Sequence, residues 1–244
     1  MATVGDMSEV RTVAWRGDLF GQRIREQWTE QLGRRLDILV AGCAQHEPMA
    51  LERIETRVSG VDEELPAVRA ALAGRGDYAT WSLGDMRSVH LPPRSFDVIQ
   101  INFLLERIHH AELVFDRLLQ ALRPGGLVLL RMRDRESAYG LCVRMTPGWA
   151  RRLVWRRLVP AGTPGPLPKV YEPITSHEGL HTFCLTRGLM VADDLRATTG
   201  PAMGRIGSAM VAMVAKLTRG RYPATHDEVT MVIRKPQNHF ARLI

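Results

Sequence analysis

Between Leu36 and Met132 the chain alternates short, almost unbroken apolar runs with amphipathic stretches of about ten residues. "LDILVAG", "VSGVD", "YATWSL", "FDVIQINFL" and "LVLLRMR" read as strands. "PMALERIETR", "ELPAVRAALAGRG" and "AELVFDRLLQAL" read as the helices between them. Continuous apolar strands separated by helices predict βαβ units, hence a parallel sheet covered on both faces. Gly74-Arg75-Gly76 and Pro124-Gly125-Gly126 stand where glycine C-caps close helices. The rhythm breaks after Arg133. "TPGWARRLVWRRLVPAGTPGPLPKVYEP" is too long and too rich in Pro and Gly for an ordinary connection, and predicts a helix plus a loop over the sheet's ligand edge. "SHEGLHTFCLTRG" then runs from Ser176 as N-cap to Gly188 as C-cap. "LMVADDLRAT" and "EVTMVIRKP" predict two more strands, with the apolar helix "IGSAMVAMVAKLTRG" between them. Its Met210 and Met213 read as packing in the core or lid, because methionine fills irregular gaps. These patterns divide the chain into a helical cap over 1–35 and an α/β domain over 36–244, with lid insertions at about 140–175 and 200–222.

Composition narrows the function classes. At 244 residues, 45% apolar and 24% charged, the chain is long enough for one sizeable core. No apolar run reaches membrane-spanning length, and "MATVGDMSEVRTVAW" lacks the basic-then-apolar pattern of a signal peptide. Cys43, Cys142 and Cys184 are widely spaced without CxxC pairing, which favours a reducing cytoplasm and argues against a disulfide framework or a zinc site. The net charge of +7 is carried almost wholly by arginine. "RRLVWRR" (151–157) is its one compact run, and the interleaved Leu153, Val154 and Trp155 make it an amphipathic helix rather than a nucleic-acid stripe.

Three features fall in register with a doubly wound sheet, whose ligands bind beyond the carboxyl ends of the strands. Gly42 ends the first strand. Asp62 ends the second, 20 residues later (62 − 42), where an acid accepting from ribose hydroxyls is usual. Asp85 follows the third, placed to accept from an exocyclic amine while Met86 packs on a flat ring. Each has a plainer reading: Asp62-Glu63-Glu64 as acids at a helix start, Gly84-Asp85 as a turn.

With "ILVAGC", "VSGVDEE", "GDMRSVHLPPRSFDVIQINFLL" and "LLQALRPGGLVLL" in this order, the segment from Leu36 to Arg131 resembles the class I S-adenosylmethionine-dependent methyltransferases of the small-molecule type. The resemblance continues more loosely through "KVYEPITSHEGLHTFCLTRGL" and the last two strands. It implies a Rossmann-like, seven-stranded sheet with helices on both faces, a final antiparallel strand and a partly helical lid. It also implies S-adenosylmethionine as cofactor and no metal. Gly42 and Ala44 would then lie against the methionine moiety, and Asp62 with Glu63 would hold the ribose. Asp85 and Met86 would frame the adenine, and Asn102 and Phe103 would floor the site beside the sulfonium.

Two departures from the family pattern matter. The turn that usually reads Asp-x-Gly-x-Gly-x-Gly has Val40, Gly42, Ala44 and His46 at those positions, with Gln45 or Glu47 as the available replacements for the lost acid. After strand four, where relatives carry a His pair, this chain has Glu106 and Arg107, and His109 and His110 come one helical turn later. Methyl transfer needs mainly proximity and alignment, with a base only for a weakly acidic hydroxyl. Glu106 is the candidate base, with His109 or His110 as the second choice; the plain alternative is that all three are polar residues opening a helix. The expectation is therefore methylation, at an oxygen, of a small and apolar or polycyclic secondary metabolite. The eroded turn supports an alternative, a methyltransferase fold that works without methyl transfer, as a cyclase or isomerase or as a silent partner of a second protein. A homodimer or protein partner remains open, and neither membrane nor nucleic acid is expected.

Overall fold

A computed structural model describes residues 16–46, 48, 51, 54–150, 165, 167–198 and 204–237. In chain order these form α1 (Arg16–Glu30), β1 (Leu36–Ala41), β2 (Thr56–Asp62), α2 (Pro66–Leu72), β3 (Thr80–Leu83), β4 (Phe96–Asn102) and α3 (Ala111–Ala121). They continue with β5 (Leu122–Arg133), α4 (Ala138–Met145), α5 (His177–Thr186), β6 (Met190–Ala197), α6 (Gly204–Leu217) and β7 (Glu228–Arg234). The strands make one seven-stranded sheet in the order β3-β2-β1-β4-β5-β7-β6. β1 through β5 pair in parallel, and β7 runs antiparallel to both β5 and β6. The strand order reverses between β1 and β4, so a crevice opens at their carboxyl ends.

Each face of the sheet carries its own core. Leu39, Ala41, Ile99, Ile101, Val128 and Leu130 pack against Val114, Phe115 and Leu118 of α3 and Leu180 and Phe183 of α5. The alternate residues Leu36, Ile38, Val40, Val98 and Leu129 pack against Phe20 and Ile24 of α1 and Val68 and Leu72 of α2. The two-residue period of the strands sorts side chains to the two faces, and both faces are covered. Through Phe20 and Ile24, α1 belongs to the core of the α/β domain. α4 and α6 pack on each other. No helix among the described residues is long and apolar enough to cross a membrane.

Three expectations meet corrections or limits. Thr56 and Arg57, the last two residues of "PMALERIETR", belong to β2, and Ile54 and Glu55 before them are not helical. Pro124-Gly125-Gly126 does not cap α3. That helix ends at Ala121, and the glycines lie within β5, where the register against β4 shifts between Phe96 and Val98. The glycines serve a bulge: Gly125 has φ 77°, and a Cβ on Gly126 would lie 2.8 Å from the Asp97 carbonyl oxygen. The basic run 151–157, Glu47 and the side chain of Met210 lie outside the described residues, while Met213 is exposed.

Candidate functional site

The turn after β1 is built to stay closed by its own packing. Gly42 adopts φ 83°, and an added Cβ would sit 2.2 Å from the Asn102 carbonyl oxygen. Glycine is thus demanded by the neighbouring strand end, before any ligand is considered. Cys43–Gln45 form one turn of 3₁₀ helix. Ala44 has no positive φ, and His46 is extended at φ −82°, so neither lost glycine is needed for its backbone freedom. The carbonyls are braced from outside: the Tyr78 hydroxyl donates to Cys43 O at 3.0 Å and Arg75 Nη1 to His46 O at 2.9 Å. Asp77 holds the Arg75 guanidinium in place. His46 is buried, with its Nδ1 3.3 Å from the Asn102 amide nitrogen. Burial, reinforced by the Arg75 charge, pushes its pKa down to about 4, so it stays neutral at physiological pH.

Asp62 ends β2 with its carboxylate turned onto that turn. It is fully buried, and Oδ2 accepts from the Ala44 N–H at 3.1 Å. Its Oδ1 accepts from the Glu63 N–H at 2.7 Å and from Nη2 of Arg107, which is itself 2% exposed. Arg107 Nε donates to the Phe103 carbonyl at 3.1 Å. The remaining nitrogen, Nη1, makes no hydrogen bond; Glu63 Oε2 stands 3.7 Å from it and is equally unbonded. Burial, eased by Arg107 and augmented by Asp62, raises the Glu63 carboxyl above the ordinary carboxylate range. The sequence marked Arg107 as a departure and gave it no role. The signal was an arginine in the position of a histidine, and its pairing with an acid 45 residues away could not be read from local pattern.

Asn102 and Phe103 close the floor at the end of β4. Asn102 is buried and joined to Gln100 at 3.1 Å. Phe103 holds φ 47°, an uncommon conformation for a side chain of this size. Its ring lies under the guanidinium carbons of Arg131 and Arg133, at 5.3 and 5.2 Å. The structure does not bring Asp85 into this group: it is exposed and bound to Arg87 through both oxygens, at 2.7 to 3.0 Å. That hydrogen bonding holds its pKa down to about 2. Met86 is buried within the core against β1 and β4.

Glu106 is enclosed rather than open to the cleft. Oε1 accepts from the Arg133 N–H at 3.1 Å, Oε2 has no hydrogen-bond partner, and its carbonyl accepts from Val170 and Tyr171 at 2.9 and 3.0 Å. Burial pushes its pKa up to about 7, against the Arg133 hydrogen bond and charge. The His109 and His110 side chains are exposed. His110 is the left-handed residue before α3, at φ 57°.

The seven-stranded order with its antiparallel β7, the glycine-closed end of β1 and the acid ending β2 define a class I S-adenosylmethionine-dependent methyltransferase fold. Residues 36–130 match the family described as methyltransferase domain. Trans-aconitate 2-methyltransferase of Azoarcus sp. (strain BH72) is 29% identical over 164 residues, which are 64% of this chain and 62% of that protein. The chain thus spans less than two thirds of that relative's length. Among solved structures, an S-adenosylmethionine-dependent methyltransferase from Mesorhizobium loti superposes with TM-score 0.54 at 16% identity, covering 90% of this chain and 98% of that one. The [4+2]-cyclase SpnF superposes with TM-score 0.51 at 16% identity, covering 91% and 81%. At such identities these two likenesses speak to the fold.

Proposed function

We propose that this chain transfers the methyl group of S-adenosylmethionine to an oxygen of a small-molecule acceptor, a secondary metabolite or a related biosynthetic intermediate. The observation that carries the reading is the Asp62 carboxylate, seated one hydrogen bond from the β1 turn at the carboxyl edge of the sheet. The family match over 36–130 and the small-molecule activity in the name of the Azoarcus relative support it. Three free cysteines suit a reducing, cytoplasmic setting.

The residues present fit the cofactor on one condition: Arg107 must release Asp62. Its guanidinium supplies the donors that ribose hydroxyls would supply. Glu63 Oε2 and Arg107 Nη1, both buried without a hydrogen bond, stand 3.7 Å apart beside the Asp62 pair. A diol that donates to Asp62 and Glu63 takes over the place of the guanidinium once Arg107 has moved away. When bound, S-adenosylmethionine supplies an electrophilic methyl group on a sulfonium. Gly42 and Ala44 fix the turn beside it, and Asn102 and Phe103 hold the floor that aligns the acceptor. Asp85 closes the adenine side once Arg87 yields, and Met86 backs it from the core. Glu106, with a carboxyl near pKa 7 and an Oε2 that accepts no hydrogen bond, is the proton acceptor for a hydroxyl substrate on the further condition that the cleft opens to it, and the exposed His109 and His110 are the second choice.

Incubation with S-adenosylmethionine and a panel of hydroxylated and carboxylated metabolites, read by mass spectrometry, tests the reading. A product heavier by one methyl group, formed together with S-adenosylhomocysteine, supports it. A second reading rests on the same Arg107–Asp62 pair: a site that keeps the fold and rearranges or cyclises its substrate without methyl transfer. Substrate conversion with no consumption of S-adenosylmethionine would favour that reading and overturn the first.

A further inference from the structure

On the sheet's outer edge, away from the crevice, α5 and β6 bring together three side chains that the methyltransferase reading does not use. His177 and His181 lie four residues apart on one face of α5, their ring centroids 4.6 Å apart. Both Nε2 atoms converge on one oxygen of Asp194, at 2.6 and 2.9 Å. The strand is shaped for this. The β6–β7 register shifts between Val191 and Asp193, and from there the strand's alternation sends the two successive acids to opposite faces. Asp193 binds Arg23 of α1 at 2.7 and 2.8 Å, while Asp194 meets the histidines of α5. Burial acts against the Asp194 charge, yet the histidine hydrogen bonds outweigh it and hold its carboxyl below the ordinary range.

We propose that His177, His181 and Asp194 form a site for a divalent transition-metal ion of the zinc class, clamping α5 to the edge strand β6. Two imidazole nitrogens and one carboxylate oxygen are a ligand set that suits zinc, nickel or copper. The three ligand atoms lie within 4.8 Å of one another. Ligands about 2.0–2.2 Å from a tetrahedral zinc stand roughly 3.4 Å apart, so each nitrogen–oxygen distance opens by less than about 1 Å on binding. His177 and Asp194 are part-exposed and His181 more so, which leaves the fourth position to water. The absence of CxxC pairing, which argued against zinc from the sequence, bears on thiolate sites alone.

Arg196 sets the affinity. Its Nη2 lies 2.9 and 3.2 Å from the two ring nitrogens of His177, Nδ1 and Nε2, and as a donor it calls on them to accept. A metal on Nε2 needs the proton on Nδ1 instead, and a metal-bound imidazole ordinarily donates from that nitrogen to an acceptor. Arg196 must therefore swing out before the ion is held, and it also opposes the ion's charge.

Titration of the intact chain with zinc alone, against a chromophoric chelator, tests the site, with cobalt absorption reporting the ligand set. The expected result is one equivalent bound by the parent, with affinity at least tenfold weaker in His181→Ala and in Asp194→Asn. Arg196→Gln is expected to bind more tightly than the parent. Circular dichroism checks that each variant is folded, and Asp194→Asn, nearly isosteric, serves if a histidine variant is not. No uptake by the parent, or equal uptake by parent and the ligand variants, overturns the proposal. Because zinc uptake is read without cofactor or substrate, it stands or falls separately from methyl transfer.

Discussion

At Gly42 one added carbon would meet the Asn102 carbonyl oxygen at 2.2 Å, with the backbone at φ 83°. Gly42→Ala is therefore expected to unfold the chain or lower its melting temperature sharply, whether or not cofactor is present. Ala44→Gly, two residues on at negative φ, should change stability by no more than about 1 kcal/mol. Thermal melts of the two variants side by side check this contrast. Glu106 and His46 act on stability in opposite directions as pH changes. The Glu106 carboxyl is raised from 4.5 to about 7, so its stabilising contribution is complete below pH 4.5 and is lost as pH rises to about 7. His46 is lowered from 6.5 to about 4, so its contribution is complete above pH 6.5 and is lost as pH falls to about 4. In the parent the two trends offset. Glu106→Gln should leave the histidine trend alone, with stability falling on acidification. His46→Gln should show the reverse, with stability falling by up to about 3 kcal/mol as pH rises from the unfolded to the folded pKa of Glu106. Urea melts at pH 4.5 and 7 measure both, and parallel pH profiles in parent and variants would contradict the assignment.

At the scale of elements, α3 begins without a local cap. His110 is left-handed and offers no side-chain hydrogen bond, and the Glu172 carboxylate arrives from 62 residues away to accept from the His110 and Ala111 N–H groups at 2.7 and 2.8 Å. Glu172→Ala should cost about 1.5–3 kcal/mol, the range for hydrogen bonds to a charged group, and Glu172→Gln about half of that. An unchanged denaturant midpoint in Glu172→Ala would remove it as the cap. This bond also shows where sequence legibility stops. β1, β4 and β5 were legible because strands covered on both faces are continuously apolar, and Ser176 was legible because its partner, the Gly179 N–H, lies three residues on. "PMALERIETR" misled because its spaced apolar residues fit a helix, while Thr56 and Arg57 are claimed by pairing with β1. Arg-Pro-Gly-Gly reads alike as a helix stop or a strand bulge until β4 is beside it. Of the site, Gly42 and Asp62 followed from spacing along the chain. Arg107 did not, since its role is set by an acid on another strand.

Many of the chain's arginines are paired with acids, while the net charge of +7 is what remains after every acid is counted. Arg23, Arg34, Arg107, Arg123, Arg131, Arg133, Arg187 and Arg234 all pair with acids. The pair at Asp62 is the one on which the proposed cofactor site turns. Both partners are buried, so removing either alone leaves a charge uncompensated at a cost of about 3–5 kcal/mol. Asp62→Ala is therefore destabilising and confounds affinity with folding. The double variant Asp62→Asn/Arg107→Met removes both charges together, and a melting curve for it and for Arg107→Met establishes that each is folded before binding is read. The central measurement is titration calorimetry of S-adenosylhomocysteine into parent, Arg107→Met and the double variant. The parent is expected to bind, and Arg107→Met to bind more tightly because the competing guanidinium is gone. The double variant should lose at least tenfold relative to Arg107→Met. No heat from folded parent and Arg107→Met, or equal affinity in the single and double variants, would contradict a cofactor site built on Asp62.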